Sequence, residues 1–468
     1  MELLKSKFPK KINGGRLVMS EKCCNEKASI SYSNTEFQRL STEEVMRVAG
    51  ALLLQFNEQN GNNVDVAMLM QPFSCDRIGL AKEENNDVEL ARLLIAAAEK
   101  VGNKQFDQAS KLLTKCDYLS STTGTPVQRV VYQFGEALRE RINRQTGRIP
   151  IEDYFPQERI HLEYVEEAMM SPNSALLACY QLLPFCKVLN FAGIQAVIDN
   201  IASAKKVHFI QIGIKIGMEC SILMQALVTR RGVSLEHFKL TTIVTRNQKK
   251  VEETGKRLAS FADSMNIPFI FNVIGLSDMK DIKEELFSRE ENEVVAVYCP
   301  FVLGTMIPWP DQLETLIRVI RKLHPCVMVV YEVEGNHNSP LFVNRFIESL
   351  FFYSAFFDCL EECMDRDNQD RINIEINYFG QGILNVVAAE GEERVVRHVG
   401  IDVWRSFFSR FGLVETELSY SSIYQANLVN KQFACANSCT LGMNGKTLTV
   451  GWKGTPIHSL STWKFRNV

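Results

Sequence analysis

Apolar and polar positions divide the chain near residue 190. Before that point apolar residues recur at helical spacing. Leu90, Leu93, Leu94, Ala97 and Val101 share one face, and Phe106, Ala109, Leu112 and Leu113 share another. Pro126 is placed to open a third helix through Val130, Phe134 and Leu138. Upstream, Ser41 with Glu44 three residues later forms a capping-box pattern before Val45, Val48 and Leu52. Helical character continues from Ile160 to Val188, with its end expected near Pro184 and Lys187. After about Asn190 the pattern changes to short β-rich runs: Val207 to Ile212, Phe238 to Val244, Phe269 to Ile274, Val294 to Tyr298 and Val327 to Val333.

Strands alternating with helices predict an α/β fold with a doubly wound, mostly parallel sheet. Cys439 to Met443 and Lys446 to Trp452 flank Asn444-Gly445, a turn pair in which both positions accept positive φ. The sheet should therefore finish in an antiparallel C-terminal hairpin, the architecture of S-adenosylmethionine methyltransferases, beneath an N-terminal helical cap. The pattern sets boundaries at 1–39 for a polar tail, 40–86 for a lead-in segment, 87–190 for the helical cap and 191–468 for the α/β core.

At 468 residues and 46% hydrophobic content the chain can bury a large core. Its net charge of -3 argues against a broad nucleic-acid footprint, although Lys5, Lys7, Lys10, Lys11 and Arg16 make the tail locally basic. No apolar run reaches the roughly 20 residues of a membrane helix, and no signal region is expected at the N-terminus. The 13 cysteines, odd in number and without a C-x-x-C, read as reduced thiols. Cys359 with Cys363 and Cys435 with Cys439 have no histidine close in sequence, so no metal site is expected there.

The first chemical candidate is Val207 to Val228, an apolar strand, a two-glycine turn and an apolar helix. A dinucleotide site needs G-x-G-x-x-G, so that the backbone closes on a pyrophosphate at the helix N-terminus. Only Gly213 and Gly217 are present, and Thr245 and Arg246, not an acid, follow the next strand. The second candidate is the cluster Glu332, Glu334, His337 and Asn338 after the fifth strand, at the edge where open α/β sheets bind ligands. Its structural alternative is a helix start with Ser339 as N-cap and Pro340 as first residue. No Ser-His-Asp order, P-loop or H-E-x-x-H is present. No catalytic residue, cofactor or metal is accordingly expected.

Two apolar features could serve association. Leu90 to Leu94 reads L-A-R-L-L, a pattern that coactivator grooves recognise, and Phe346, Leu350, Phe351, Phe352, Tyr353, Phe356 and Phe357 crowd one helix. Core packing is the competing account of both. Because the helical region holds more apolar positions than one seam needs, Leu90, Leu93, Leu94, Val131, Phe134 and Leu138 are taken as a candidate partner surface.

These blocks, in this order, resemble the plant GRAS regulators over about Asp87 to Phe465. ELARLLIAAAEKV and PVQRVVYQFGEALRERI are similar to the first leucine-rich region. Val207, His208, Phe209, Ile210 and Gln211 match the V-H-I-I-D block, with Gln211 where the family has aspartate. Arg345, Phe346, Glu348 and Tyr353 lie in a segment resembling the family's long aromatic block. Arg394 and Arg397 fall in the R-V-E-R region, where Val396 replaces glutamate, and Trp404 follows them. Trp452 and Trp463 sit in a closing segment similar to the serine-alanine-tryptophan region. The D-E-L-L-A sequence of the gibberellin-responsive branch is missing from the N-terminal part, so hormone-triggered degradation is not implied.

The resemblance implies a nuclear transcriptional regulator, not an enzyme, with a helical cap on a methyltransferase-like core. It implies homo- or heterodimers with other GRAS proteins and association with DNA-binding transcription factors such as zinc-finger proteins, with indirect or weak DNA contact. The alternatives are a small-molecule-binding or methyltransferase-like enzyme and direct sequence-specific DNA binding.

Overall fold

The structure, a computed structural model, describes residues 11–13, 16–18, 39–60, 66–71, 80–147, 170, 173–230 and 232–466. The polar tail falls largely outside them, as does the stretch 160–169 of the expected helical region. Among the described residues no single helix is long and apolar enough to cross a membrane.

The chain folds into two compact units that do not follow the boundaries drawn from sequence. The first joins the helices up to Thr146 to a later excursion, residues 339–389, and the second takes residues 155–338 and 390–468. The helix Ser174–Leu182 and the whole of Pro184–Asn200 therefore belong with the sheet unit, although the boundary drawn at 190 placed the first of them and the start of the second in the cap. Pro184 opens a helix instead of closing one, because its missing N–H costs nothing at the first helical position.

In the helical unit the local signals act as expected. Ser41 Oγ accepts from the Glu44 amide at 3.3 Å while Glu44 accepts from the Ser41 amide at 2.8 Å, starting the helix Thr42–Asn60. Lys82–Gly102 and Phe106–Leu119 follow. Thr125 and Gln128 then form a second capping box around Pro126, and the helix Pro126–Thr146 ends at Gly147 with φ of 66°. Phe342–Cys363 packs in the same unit, buried on nearly all sides because its aromatics face other helices all round. It begins at Phe342 behind Leu341, so the Ser339 and Pro340 helix start does not form. Ser339 instead gives its carbonyl to Arg345 Nη1 at 2.9 Å.

The second unit is built on a nine-stranded sheet. Its strands are β1 Lys206–Ile212, β2 His237–Val244, β3 Phe269–Gly275, β4 Val294–Pro300, β5 Val327–Val333, β6 Leu413–Thr416, β7 Cys439–Asn444, β8 Thr447–Trp452 and β9 Thr455–Phe465. Their order is β3-β2-β1-β4-β5-β9-β8-β7, with β6 also on β9. The first five are parallel and β9 runs antiparallel to β5. β1 and β4 reach almost full burial, as strands covered by helices on both faces should. The α/β class, the parallel sheet and the antiparallel end are as the sequence predicts.

The hairpin turn lies one residue downstream of Asn444-Gly445. Asn444 pairs with Thr447, so Gly445 and Lys446 form the turn, and of these only Gly445 has positive φ. The turn with two positive φ angles is Lys453-Gly454, between β8 and β9. Just before it the register shifts at Val450/Gly451, and a Cβ on Gly451 would lie 2.4 Å from the Thr455 carbonyl oxygen. Gly451→Ala should therefore cost about 1–3 kcal/mol in a chemical denaturation series, since backbone must move to admit the methyl.

Candidate functional site

Strand order reverses between β1 and β4, so a ligand of such a sheet would enter at their carboxyl ends. The turn after β1 is committed to the chain itself. A Cβ on Gly213 would stand 3.1 Å from Val302, and one on Gly217 would stand 3.0 Å from Leu258. Both glycines have φ near +75°, so they serve the turn and close packing. The Lys215 carbonyl accepts from Thr254 Oγ1 at 3.1 Å. The helix that follows, Met218–Thr229, carries Glu219 in its first turn, where a phosphate would meet like charge.

The block Val207 to Gln211 forms the interior of β1 and is buried. His208 Nε2 meets Thr241 Oγ1 of β2 at 2.8 Å. Gln211 Oε1 accepts from the Cys220 thiol at 2.9 Å, and its carbonyl accepts from Thr242 Oγ1 at 2.8 Å. A carboxylate at this position would be buried against the Cys220 thiol, which makes the neutral amide the better fit here. These side chains tie strand to strand and strand to helix.

The carboxylates after the fifth strand act as caps. Glu332 Oε1 accepts from the Leu303 amide at 2.7 Å, at the start of the short helix Leu303–Met306. Both oxygens of Glu334 accept from the Ile401 amide at 3.1 Å, at the first residue of the helix Ile401–Ser409. Between them the segment from Arg394 to His398 crosses the edge. Arg394 donates to the His337 carbonyl at 3.4 Å and to Asn338 Oδ1 at 3.1 Å. The Arg397 amide donates to the Gly304 carbonyl at 3.2 Å, and the His337 amide to the His398 carbonyl at 3.1 Å. Arg397 Nη2 also holds the Gly391 carbonyl at 2.7 Å. The two family arginines thus strap one segment over the ends of β4 and β5.

Burial sets the protonation here. It pushes Glu332 up to about 7 against the pull of the amides of Leu303, Gly304 and Val302. It lowers His398 to about 4 and His458 to about 3, and holds His337 well below its usual value. The depressed histidines are neutral when folded and take up protons when unfolded, so their contribution is intact above about 6.5 and is lost as pH falls toward 4 and 3. Glu332 works the other way, losing stability as pH rises through 7. Burial raises Glu334 as well, so the two trends oppose. The histidine contribution is isolated by a melt series of wild type against His398→Asn, in which the variant should lose less melting temperature than wild type as pH falls from 6.5 to 4.

Other expected sites fall elsewhere. Leu93, Leu94, Val131, Phe134 and Leu138 are 0% exposed and Leu90 is 2% exposed, inside the helical unit. As a partner surface these six are a correction: their neighbours are helices of the same unit, so the surplus of apolar positions fills a bundle and leaves no outward face. Phe134 meets Phe346 edge-on at 5.4 Å and Tyr353 at 6.1 Å. Arg345 gives Nε to the Val386 carbonyl at 2.8 Å, while Glu348 is half-buried on the same helix. The crowded aromatics from Phe346 to Phe357 are likewise buried, not surface. Trp404, Trp452 and Trp463 are buried in the sheet unit. Cys359 and Cys363 bring their sulfurs to 3.9 Å on one helix, and neither cysteine pair belongs to a cluster of three potential ligands among the described residues. Sequence reasoning missed the strap and His458, because irregular backbone and a lone histidine within a strand carry no periodic signal.

A mostly parallel sheet with this order and an antiparallel finish defines a mixed α/β core, and the chain has a second, helical unit. The GRAS domain family matches residues 90–464, and the chain belongs to that family. It is 30% identical to the DELLA protein RGL1 of Arabidopsis thaliana over 82% of this chain and 71% of that protein. It is also 30% identical to DELLA protein 2 of Medicago truncatula, over 86% and 72%. The crystal structure of SCL7 from Oryza sativa matches with a TM-score of 0.68 at 22% identity, covering 80% of this chain and 99% of that one.

Proposed function

We propose that this GRAS protein is a non-enzymatic regulator of transcription that acts in the nucleus by associating with DNA-binding factors and with other members of its family. The observation that supports this most is the carboxyl edge of the sheet. There Glu332 and Glu334 are spent on helix amides and the segment Arg394 to His398 is strapped across β4 and β5. An acid-base pair for catalysis needs a substrate within hydrogen-bond reach, and these carboxylates already hold backbone partners. Family membership and the likeness to DELLA proteins support the regulatory reading.

A fluorescent fusion of the full chain should accumulate in the nucleus of plant cells and, tethered to a promoter through a known DNA-binding domain, should change reporter output. A fusion that stays wholly cytoplasmic with its partners present, or a tethered chain without effect on any reporter, contradicts the proposal. Removing residues 1–39, with their scattered lysines, should reduce nuclear import only in part.

A further inference from the structure

We propose that His237, Glu290 and Glu293 form a binding site for a divalent ion of the zinc type at the amino-terminal edge of the sheet, opposite the strapped edge. His237 is the first residue of β2, and the two glutamates lie in the turn that leads into β4. Among the described residues this is the group of three potential ligands whose donor atoms lie within 4.8 Å of one another. His237 Nε2 is 3.6 Å from Glu290 Oε1 and 3.6 Å from Glu293 Oε1. That is too long for a hydrogen bond. It is near the spacing of about 3.3–3.6 Å between ligands of a tetrahedral ion with bonds of about 2.0–2.2 Å. Nε2 itself is buried and makes no hydrogen bond.

The ligands are held before any ion arrives. Glu293 is buried, and its Oε2 accepts from the Glu290 amide at 3.2 Å and faces His208 Nδ1 at 3.2 Å. Its Oε1 is 2.7 Å from Lys239 Nζ, which also donates to the Ser288 carbonyl at 2.7 Å. Outer partners of this kind orient a ligating carboxylate. Glu290, with a side chain 45% exposed and Lys206 3.6 Å from its other oxygen, opens the fourth position to solvent. One histidine and two carboxylates suit a borderline ion better than a soft one. The positive charges of Lys239 and Lys206 weaken the field of the carboxylates, so binding is expected in the micromolar range.

The competing account is a polar cluster that holds no metal, and titration of the chain with Zn²⁺ at neutral pH separates the two. One equivalent should bind. Because losing even an outer-shell partner weakens a metal about 10–100-fold, His237→Gln and Glu290→Gln should each weaken binding by about tenfold or more. Glu290→Gln changes an exposed side chain and keeps the test valid where His237→Gln fails to fold. Cys359→Ser with Cys363→Ser should leave this binding unchanged. No saturable binding at micromolar Zn²⁺, or equal binding by wild type and Glu290→Gln, overturns the site.

Discussion

Trp463→Ala is expected to destabilise the sheet unit by about 3–5 kcal/mol, the cost of removing a large buried aromatic. The indole is 2% exposed, packs on Phe408 at 4.7 Å and donates from Nε1 to Ser461 Oγ at 2.9 Å. Its backbone pairs with Met328 of β5 on one side and Glu415 of β6 on the other. The residue therefore joins the parallel part of the sheet to its antiparallel end, and the cavity left by alanine would open against the core formed by Met328, Phe408 and Trp404. Guanidinium unfolding of wild type, Trp463→Phe and Trp463→Ala should give a graded loss. Unchanged unfolding with a loss of partner binding would place this indole at an interface instead.

Leu93→Glu and Phe134→Glu should each unfold the helical unit rather than weaken a contact with another protein. Both side chains are 0% exposed. A carboxylate there would be buried, and for Phe134 it would face the rings of Phe346 and Tyr353; an uncompensated buried charge costs about 3–5 kcal/mol. Leu93→Met, which keeps volume and polarity, should cost less than about 1.5 kcal/mol. Proteolysis and near-ultraviolet circular dichroism read out the loss. A Leu93→Glu chain that melts like wild type yet fails to bind a partner would return these leucines to a surface.

How far the sequence could be read depended on how local each signal was. Strands β1, β2, β3, β4 and β5 were legible to within two residues, because buried parallel strands are short apolar runs bounded by turn residues. The capping box at Ser41 was read because both partners lie within three residues, and Pro126 marked the third helix start, while the box formed there by Thr125 and Gln128 was not read. The division into units was not legible. It requires residues 339–389 to fold with helices more than 190 positions earlier, and nothing in the local pattern of Phe342 to Leu360 says which helices bury its aromatics. Periodicity likewise identifies an apolar face without saying whether solvent or another helix meets it, which is why six leucine-region side chains pointed to a partner. At the carboxyl edge the sequence pattern gathered Glu332, Glu334, His337 and Asn338, but the capping role of the two glutamates depends on amides 28 to 67 positions away.

The proposal that the sheet unit holds no working cofactor site is tested most directly by calorimetric titration of the chain with S-adenosylmethionine. No saturable heat at micromolar ligand and no change in melting temperature are expected. Micromolar, one-to-one binding accompanied by transfer of the methyl group to any acceptor would contradict it.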